Sequence, residues 1–525
     1  MEKINVFHPE IENKAKFHRR KDLTFEIRLC IAFYAMMSNR WGLISQLAKE
    51  YAISRTFVYM LQGKLQNAVQ DIFQPCEQPE KQITIERRKE QSIAYALSLR
   101  MEGKCSIPSI SSIMERMGME NSSVGWISQS LQQIGAGLPN TIEIGDGNIL
   151  YVYLAADEIF SCSRPLLISV DPISTAILRI ELAGSRKTED WINHFNELKK
   201  KGLKIVLSVS DEGTGICSAI GASFSGTNRQ PDTFHAISHR LGKWVNSLEK
   251  SAYAAIAEEY QRLEVFESAK TESIMQKRLD AYFEAKTKAD QAIMLYGHYT
   301  FLYHCIINNL QVFDKAGNPC NREGAEENIR VALDFMIGLP INKIKKEINT
   351  IYNLLGNLLD YLDIAGRIVK DLTFKGTPPY IIQSFSLAWQ YQKNAIKAKN
   401  NERRKYFEKK QKEQLSIMAS VLNENFETVK ESIYAELDKI IQSSAIVENI
   451  NSIVRTFLNT SRNKINQEML NLIPHVRDHN HRRYKAGKRK TKTPMELLTG
   501  KKQNKDWLEM LLDIYKLGMV NSMAA

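Results

Sequence analysis

The rhythm of hydrophobic and polar positions changes along the chain, and each change predicts a different kind of element. Residues 22–38, "DLTFEIRLCIAFYAMMS", place apolar side chains at amphipathic helix spacing. The next stretch, "LISQLAKEYAISRTFVYMLQGKL" (43–65), reads as two short helices around a tight turn at Tyr51, Ala52 and Ile53. Leu43, Ile44, Leu47 and Ala48 form the inner face of the first. Ser54 is the expected N-cap of the second, which holds Phe57, Val58 and Leu61. Small residues at Ala48 and Ala52 with an apolar Val58 match helix-turn-helix spacing. In such a unit the second helix enters the major groove, which leaves Arg55, Thr56 and Tyr59 facing outward. A plain helical hairpin is the alternative. Residues 106–135 carry a second copy of the pattern, with a turn at Gly118 and a helix capped near Asn121.

From about residue 148 the pattern turns β-branched. "NILYVYLAADEIF", "PLLISVDPIS" and "AILRIELAGS" predict three strands. "KTEDWINHFNELKKKG" (187–202) predicts an amphipathic helix ending at Gly202. "LKIVLSVSDEGTGICSAIG" (203–221) predicts a fourth strand running into a turn and a helix. Three strands, a helix and a strand is the opening order of a ribonuclease H-like fold, an α/β class. Residues 240–440 are almost wholly helical in pattern, and the charged run 399–414 fits a solvated helix face. Helical spacing returns in "SSAIVENINSIVRTFL" (443–458), with Ile446, Val447, Ile450, Ile453, Val454 and Phe457 on one side.

Composition narrows the class. The 525 residues allow two to four domains, and 43% hydrophobic with 25% charged residues is ordinary for a globular protein. No apolar run reaches the ~18 residues of a membrane span, and the polar start "MEKINVFHPEIENKAKFHRRK" lacks a signal-peptide core. Seven scattered cysteines without a Cys-x-x-Cys pair argue against a disulfide framework or zinc ribbon, and for a reducing, cytoplasmic setting. The net charge is +12, and residues 475–505 hold eleven Lys/Arg against Asp478 and Glu496. Such a local excess suits a polyanion such as nucleic acid.

The candidate chemistry is acidic. Asp157 is expected at the end of the first strand and Asp211 at the end of the fourth, neighbours in a ribonuclease H-like sheet. A third carboxylate from a late helix would complete a hard-oxygen site for Mg²⁺, and Glu448 is the candidate. Two such ions ~4 Å apart activate a nucleophile and stabilise the leaving oxygen of a phosphodiester. Each acid also has a plain reading: aspartates are common at turns, and helical glutamates are mostly solvated. Glu158 and Glu212 adjoin the aspartates but face the other way by strand alternation; Glu431 and Glu436 compete with Glu448.

With these motifs the chain resembles a DDE-type transposase of a bacterial insertion sequence, in "LAADEIF", "VLSVSDEGTG" and "SSAIVENINSIVRTFL". Arg455, seven residues after Glu448, stands where many such enzymes carry a basic residue. "PDTFHAISHR" is similar to the Cys/Asp-x-x-His motif of Mutator-like and hAT-like transposases, in Asp232 and His235. "HNHRRYKAGKRKTKTPMELLTG" resembles the basic closing segment of transposases and integrases. The resemblance implies a multidomain α+β protein: helix-turn-helix segments at 1–75 and 76–145, a ribonuclease H-like core at 146–240 and 441–475, an all-helical insertion at 241–440, and a basic segment at 476–525. It implies cleavage at transposon ends and 3′-OH strand transfer, with Asp157, Asp211 and Glu448 holding Mg²⁺, for which Mn²⁺ substitutes. His235 would orient a phosphate or water, or serve as a structural partner. Arg455, Arg482, Arg483, Lys485, Lys488, Arg489, Lys490 and Lys492 would contact phosphates. Its partners would be double-stranded DNA, as ends and target, and further copies of the chain in a dimer or larger assembly at the bacterial nucleoid, with no membrane. Trp389 reads as a core aromatic, with stacking on a displaced base as the alternative. A non-catalytic DNA-binding protein, a regulator or an inactive transposase remnant, is the competing class.

Overall fold

A computed structural model describes residues 22–37, 40–73, 78–145, 147–475, 480–485, 487 and 489–523. They divide into two compact units, Met1–Lys89 and Glu90–Ala525. Among the described residues no helix is long and apolar enough to cross a membrane.

The first unit holds α1 (Phe25–Met37), α2 (Leu43–Glu50) and α3 (Arg55–Phe73). Leu23, Ile31, Ala35, Leu47, Ala48, Tyr51 and Val58 form its core. Ala52 takes a left-handed φ of 48° in the turn after α2. Ser54 Oγ then accepts the Phe57 N–H at 3.1 Å, satisfying an orphan donor of the first turn of α3. α4 (Gln78–Met101), which the hydrophobic patterning does not predict, straddles the boundary at residue 89. The segment placed at 76–145 is therefore divided. Its later part, α5 (Ile107–Arg116) and α6 (Val124–Ala136), packs Ile110, Met114, Ile127 and Leu131 into the core beneath the sheet. The cap of α6 is Ser123, whose side chain accepts the Trp126 N–H, and not Asn121, which takes φ 60° in the preceding turn.

The sheet contains β1 (Leu150–Ser161), β2 (Arg164–Val170), β3 (Ile177–Leu182), β4 (Leu203–Ser210) and β5 (Asn228–Pro231), in the order β3-β2-β1-β4-β5. β1, β2 and β3 pair antiparallel; β4 and β5 run parallel to β1. The β1–β2 turn is two residues long, and Cys162 in it has φ 53°. α7 (Thr188–Lys200) joins β3 to β4, and α8 (Thr214–Ser223) joins β4 to β5. Gly202 after α7 has φ +83°, and a Cβ there would lie 2.3 Å from the Asn148 carbonyl oxygen, so only glycine fits. Strand alternation gives the sheet two faces. Ala155 and Ile159 of β1 face α6 and α17 (Ala445–Thr460), whereas Val152, Leu154 and Ala156 face Trp191 and Phe195 of α7.

Beyond β5 a π-helical turn (Phe234–His239) leads into the helical block. The block comprises α9 (Arg240–Glu267), α10 (Glu272–Asn309), α11 (Arg322–Ile337), α12 (Ile344–Leu358), α13 (Asp360–Phe374), α14 (Pro379–Lys397), α15 (Asn401–Leu422) and α16 (Phe426–Leu437). The apolar stretch at 351–372 breaks at Leu359. There Gln230 of β5 donates to the Leu358 carbonyl at 2.7 Å and Arg322 donates to the Gly356 carbonyl, drawing both groups out of the helical ladder. Trp389 is a core residue, 2% exposed, edge-on to Phe313 and donating to Asp438 Oδ1 at 3.0 Å. Trp389→Phe should cost about 1–2 kcal/mol, for the missing hydrogen bond and the smaller ring in the core; chemical denaturation measures it.

After α17 come α18 (Gln467–His475), α19 (Pro494–Thr499) and α20 (Trp507–Met523). Asn480 extends the sheet region by exchanging hydrogen bonds with both backbone groups of Ile177, at 2.8 and 2.9 Å.

Candidate active site

Ala156 of β1 pairs with Ser210 of β4, and Ser210 with Pro231 of β5. The next residue on each chain segment is an aspartate: Asp157, Asp211 and Asp232. Asp157 lies inside β1 and not at its end, because β1 runs on to hairpin with β2. It marks instead the point where the β1–β4 ladder stops. Both oxygens of Asp157 accept one hydrogen bond: Oδ1 from the Glu158 N–H at 2.8 Å, Oδ2 from Asn451 Nδ2 at 2.7 Å. Burial, then the neighbouring Asp211 charge, push its carboxyl up to about 6 against those bonds. Asp211 Oδ1 accepts the Gly213 N–H at 3.0 Å in the turn to α8.

Asn451 brings α17 over this pair. One turn earlier on that helix Glu448 stands exposed, its Oε1 3.0 Å from His235 Nε2. Among the described residues, no three His, Cys, Asp or Glu side chains are gathered for a common metal ion. The structure thus brings Asp157 and Asp211 together and leaves Glu448, one helical turn before Asn451, with its carboxylate on His235. The donor set still fits a hard cation. Asp157 is a mostly buried carboxylate repelled by a second one, each of its oxygens keeps a lone pair beyond the bond it accepts, and the buried Asn451 Oδ1 next to it has no hydrogen-bond partner among the described residues. Glu158 and Glu212 are each occupied by an arginine, Arg186 at 3.1 Å and Arg229 at 3.2 Å.

α17 is held at both ends by buried charges. Asp232 Oδ2 accepts the backbone N–H and the hydroxyl of its N-cap, Ser444, at 2.7 and 2.5 Å. At the other end Arg100 of α4, 1% exposed, donates to Thr460 and Ser461 side chains at 2.9 and 2.7 Å and lies over the Phe457 ring. An anion at the N-terminus and a cation at the C-terminus both complement the helix dipole. Sequence reasoning misses Arg100 and assigns Asn451 no role.

The other expected DNA contacts are scattered. Arg55, Thr56 and Tyr59 are exposed on α3, in the first unit; Arg455 is exposed on α17. Arg483 is spent on Glu496 and on the Thr491 and Gln503 carbonyls, and Arg489 donates to the Ile173 carbonyl at 2.6 Å beside Tyr484. These two arginines brace the 480–503 loop in this structure. Lys485, Lys490 and Lys492 are exposed and Arg482 is half-buried. Lys488 lies outside the described residues.

Residues 86–303 match the family model for transposases of the Mutator family. The matched stretch includes Asp157, Asp211, Asp232 and His235 and ends within α10, before the block's remaining helices and α17. The match supports a transposase function. Among solved structures the chain is similar to the Drosophila P element transposase strand transfer complex, at 13% identity and a TM-score of 0.29, over 67% of this chain and 98% of that one. At that score the likeness fixes neither fold nor activity. No curated protein matches the chain.

Proposed function

We propose that the protein is a DDE-type DNA transposase that cleaves transposon ends and joins the freed 3′-OH to target DNA. The observation that carries this reading is the placement of Asp157 and Asp211 directly after Ala156–Ser210, the last pair of the parallel β1–β4 ladder, inside the Mutator-family match and under a helix bearing Glu448. The strand order β3-β2-β1-β4-β5 supports a ribonuclease H-like core. Asp157, Asp211 and Glu448 would hold Mg²⁺ or Mn²⁺. When bound there, the cation supplies positive charge for the in-line displacement at phosphorus and acidifies the attacking water or hydroxyl. The chain's own part is positional: Asn451 fixes the Asp157 carboxylate and His235 fixes that of Glu448. α2 and α3 would form the helix-turn-helix that reads the transposon end, through Arg55, Thr56 and Tyr59. Synapsis of two ends would require two or more copies.

The test uses a plasmid bearing the sequences that flank the protein's own gene, incubated with the full chain and Mg²⁺. Strand breaks at a flank are expected, with Asp211→Asn and Glu448→Gln binding the same DNA without cutting it. Binding without cleavage in Mg²⁺ or Mn²⁺ would instead favour a non-catalytic DNA-binding protein, which the basic segment and α3 would serve equally.

The basic surface gives a separate expectation. Replacing Arg455, Lys485, Lys490 and Lys492 by glutamine should flatten the slope of log K against log salt by about 0.9 for each phosphate that is no longer neutralised. An unchanged slope would remove this surface from the DNA interface.

A further inference from the structure

Three aspartates follow the residues Ala156, Ser210 and Pro231, at which the parallel β1–β4 and β4–β5 ladders end, yet the third is used differently. Asp232 continues the ladder, its N–H bonded to the Ser210 carbonyl at 3.1 Å, immediately before Asp211. Its carboxylate is 2% exposed and takes four donors: Phe234 N–H at 2.7 Å and His235 N–H at 3.1 Å on Oδ1, and the Ser444 N–H and hydroxyl on Oδ2. Four donors on a buried carboxylate leave it little capacity as a cation ligand. They make it instead a shared N-terminal cap for two helical segments. One segment carries His235 three residues on; the other carries Glu448 four residues beyond Ser444. Thr233 reinforces the joint, its N–H and hydroxyl both donating to the Gln442 carbonyl, at 3.0 and 2.7 Å. The His235–Glu448 hydrogen bond then closes a ring of contacts: Asp232, Ser444, Glu448, His235 and back to Asp232.

We propose that Asp232 is the positioning residue for Glu448: through Ser444 and His235 it ties the carboxylate of α17 to the sheet edge that carries Asp157 and Asp211. The proposal rests on the metal-site reading above and concerns a residue outside the metal-ligand set. It assigns Asp232 a role expressed only through Glu448, which a merely structural buried carboxylate would lack.

The experiment is Mn²⁺ titration of the full-length chain, followed by electron paramagnetic resonance of free Mn²⁺. Asp157→Asn should abolish the site; if it leaves Mn²⁺ binding intact, the metal-site reading fails and the proposal falls with it. Asp232→Asn should weaken Mn²⁺ about tenfold, the usual cost of removing a group that orients a ligand. In a Glu448→Gln background the same change should cost nothing further, because residues acting through one another are non-additive. Wild-type affinity in Asp232→Asn, or its full effect added to that of Glu448→Gln, would overturn the proposal with the metal site intact. Ser444→Ala removes only the hydroxyl bond to Oδ2 and keeps the test open if Asp232→Asn does not fold. It should weaken Mn²⁺ about threefold, and again only when Glu448 is present; an unchanged affinity in that variant counts against the proposal.

Discussion

Asp157→Asn should make the protein more stable at neutral pH while removing the cleavage proposed above. Burial beside Asp211 raises the Asp157 carboxyl from 3.8 to about 6, so the folded state binds this proton more tightly than the unfolded chain does. For an acid with a raised folded value, the penalty is absent below about pH 4 and develops as pH rises through about 6. At pH 7 and above it amounts to about 3 kcal/mol. The amide carries no charge and escapes it. One carboxylate oxygen becomes an amide NH2 group, but Asn451 Oδ1, which has no partner among the described residues, can accept from it if that side chain flips. Melting temperatures of the two proteins should therefore coincide near pH 4 and diverge by pH 7. A gap independent of pH would mean that Asp157 is not the repelled, desolvated carboxylate described here. The proposed cleavage should fall by about three orders of magnitude, equivalent to ~4 kcal/mol of transition-state stabilisation. Mg²⁺ should raise the melting temperature of wild type and not that of the variant.

Gly135→Ala should be among the most damaging single changes outside the acids. A Cβ on Gly135 of α6 would lie 1.9 Å from the Glu468 carbonyl oxygen and 2.6 Å from its carbonyl carbon. Both are backbone atoms of α18, so no side chain can rotate away. The two helices must separate, reopening the cluster that Leu131, Ile134, Leu470 and Ile473 fill and breaking the Asn471 bonds to the Gly135 and Leu138 carbonyls. Overpacking against backbone costs about 3 kcal/mol or more. The chemical-denaturation midpoint should drop with little change in slope; a stability within a few tenths of a kcal/mol of wild type would show that α6 and α18 do not touch in this way.

Local rules carry the sequence reading wherever partners lie close in the chain. The Ser54 cap, the turn at Ala52, the first strands and the solvated face of α15 all follow from periodicity and turn chemistry within about ten residues. Asp157 and Asp211 are legible because the β-β-β-α-β order alone makes their strands neighbours. Illegible features depend on groups hundreds of residues apart. Arg100 ends a charged helix and looks solvated until Thr460, 360 residues later, comes to meet it. Asn451 differs from any helical asparagine only through Asp157, 294 residues earlier. Arg483 and Arg489 read as phosphate ligands in a basic run, but compaction of the loop gives them Glu496 and Ile173 as partners first. Asn121 and Ser123 are equally good caps by residue type, and the choice rests on which backbone turns left-handed.

The joint at Asp232 and Ser444 also bears on how the molecule reaches this state. It closes a loop of about two hundred residues, the whole helical block, onto one edge of the sheet. Closing a flexible loop of that length costs entropy that grows only as its logarithm, but the contacts that repay it come last. A block that collapses first on its own local helix pairs brings the two ends near each other and shortens the effective loop. Asp157 and Asp211 can then meet early, with the sheet, while Glu448 arrives only after α9 to α16 have packed. Such an order of assembly would make the folded helical block a kinetic precondition for bringing Glu448 to the sheet edge. Pulse-labelled hydrogen exchange during refolding should find the amides of β1 and β4 protected before those of α17.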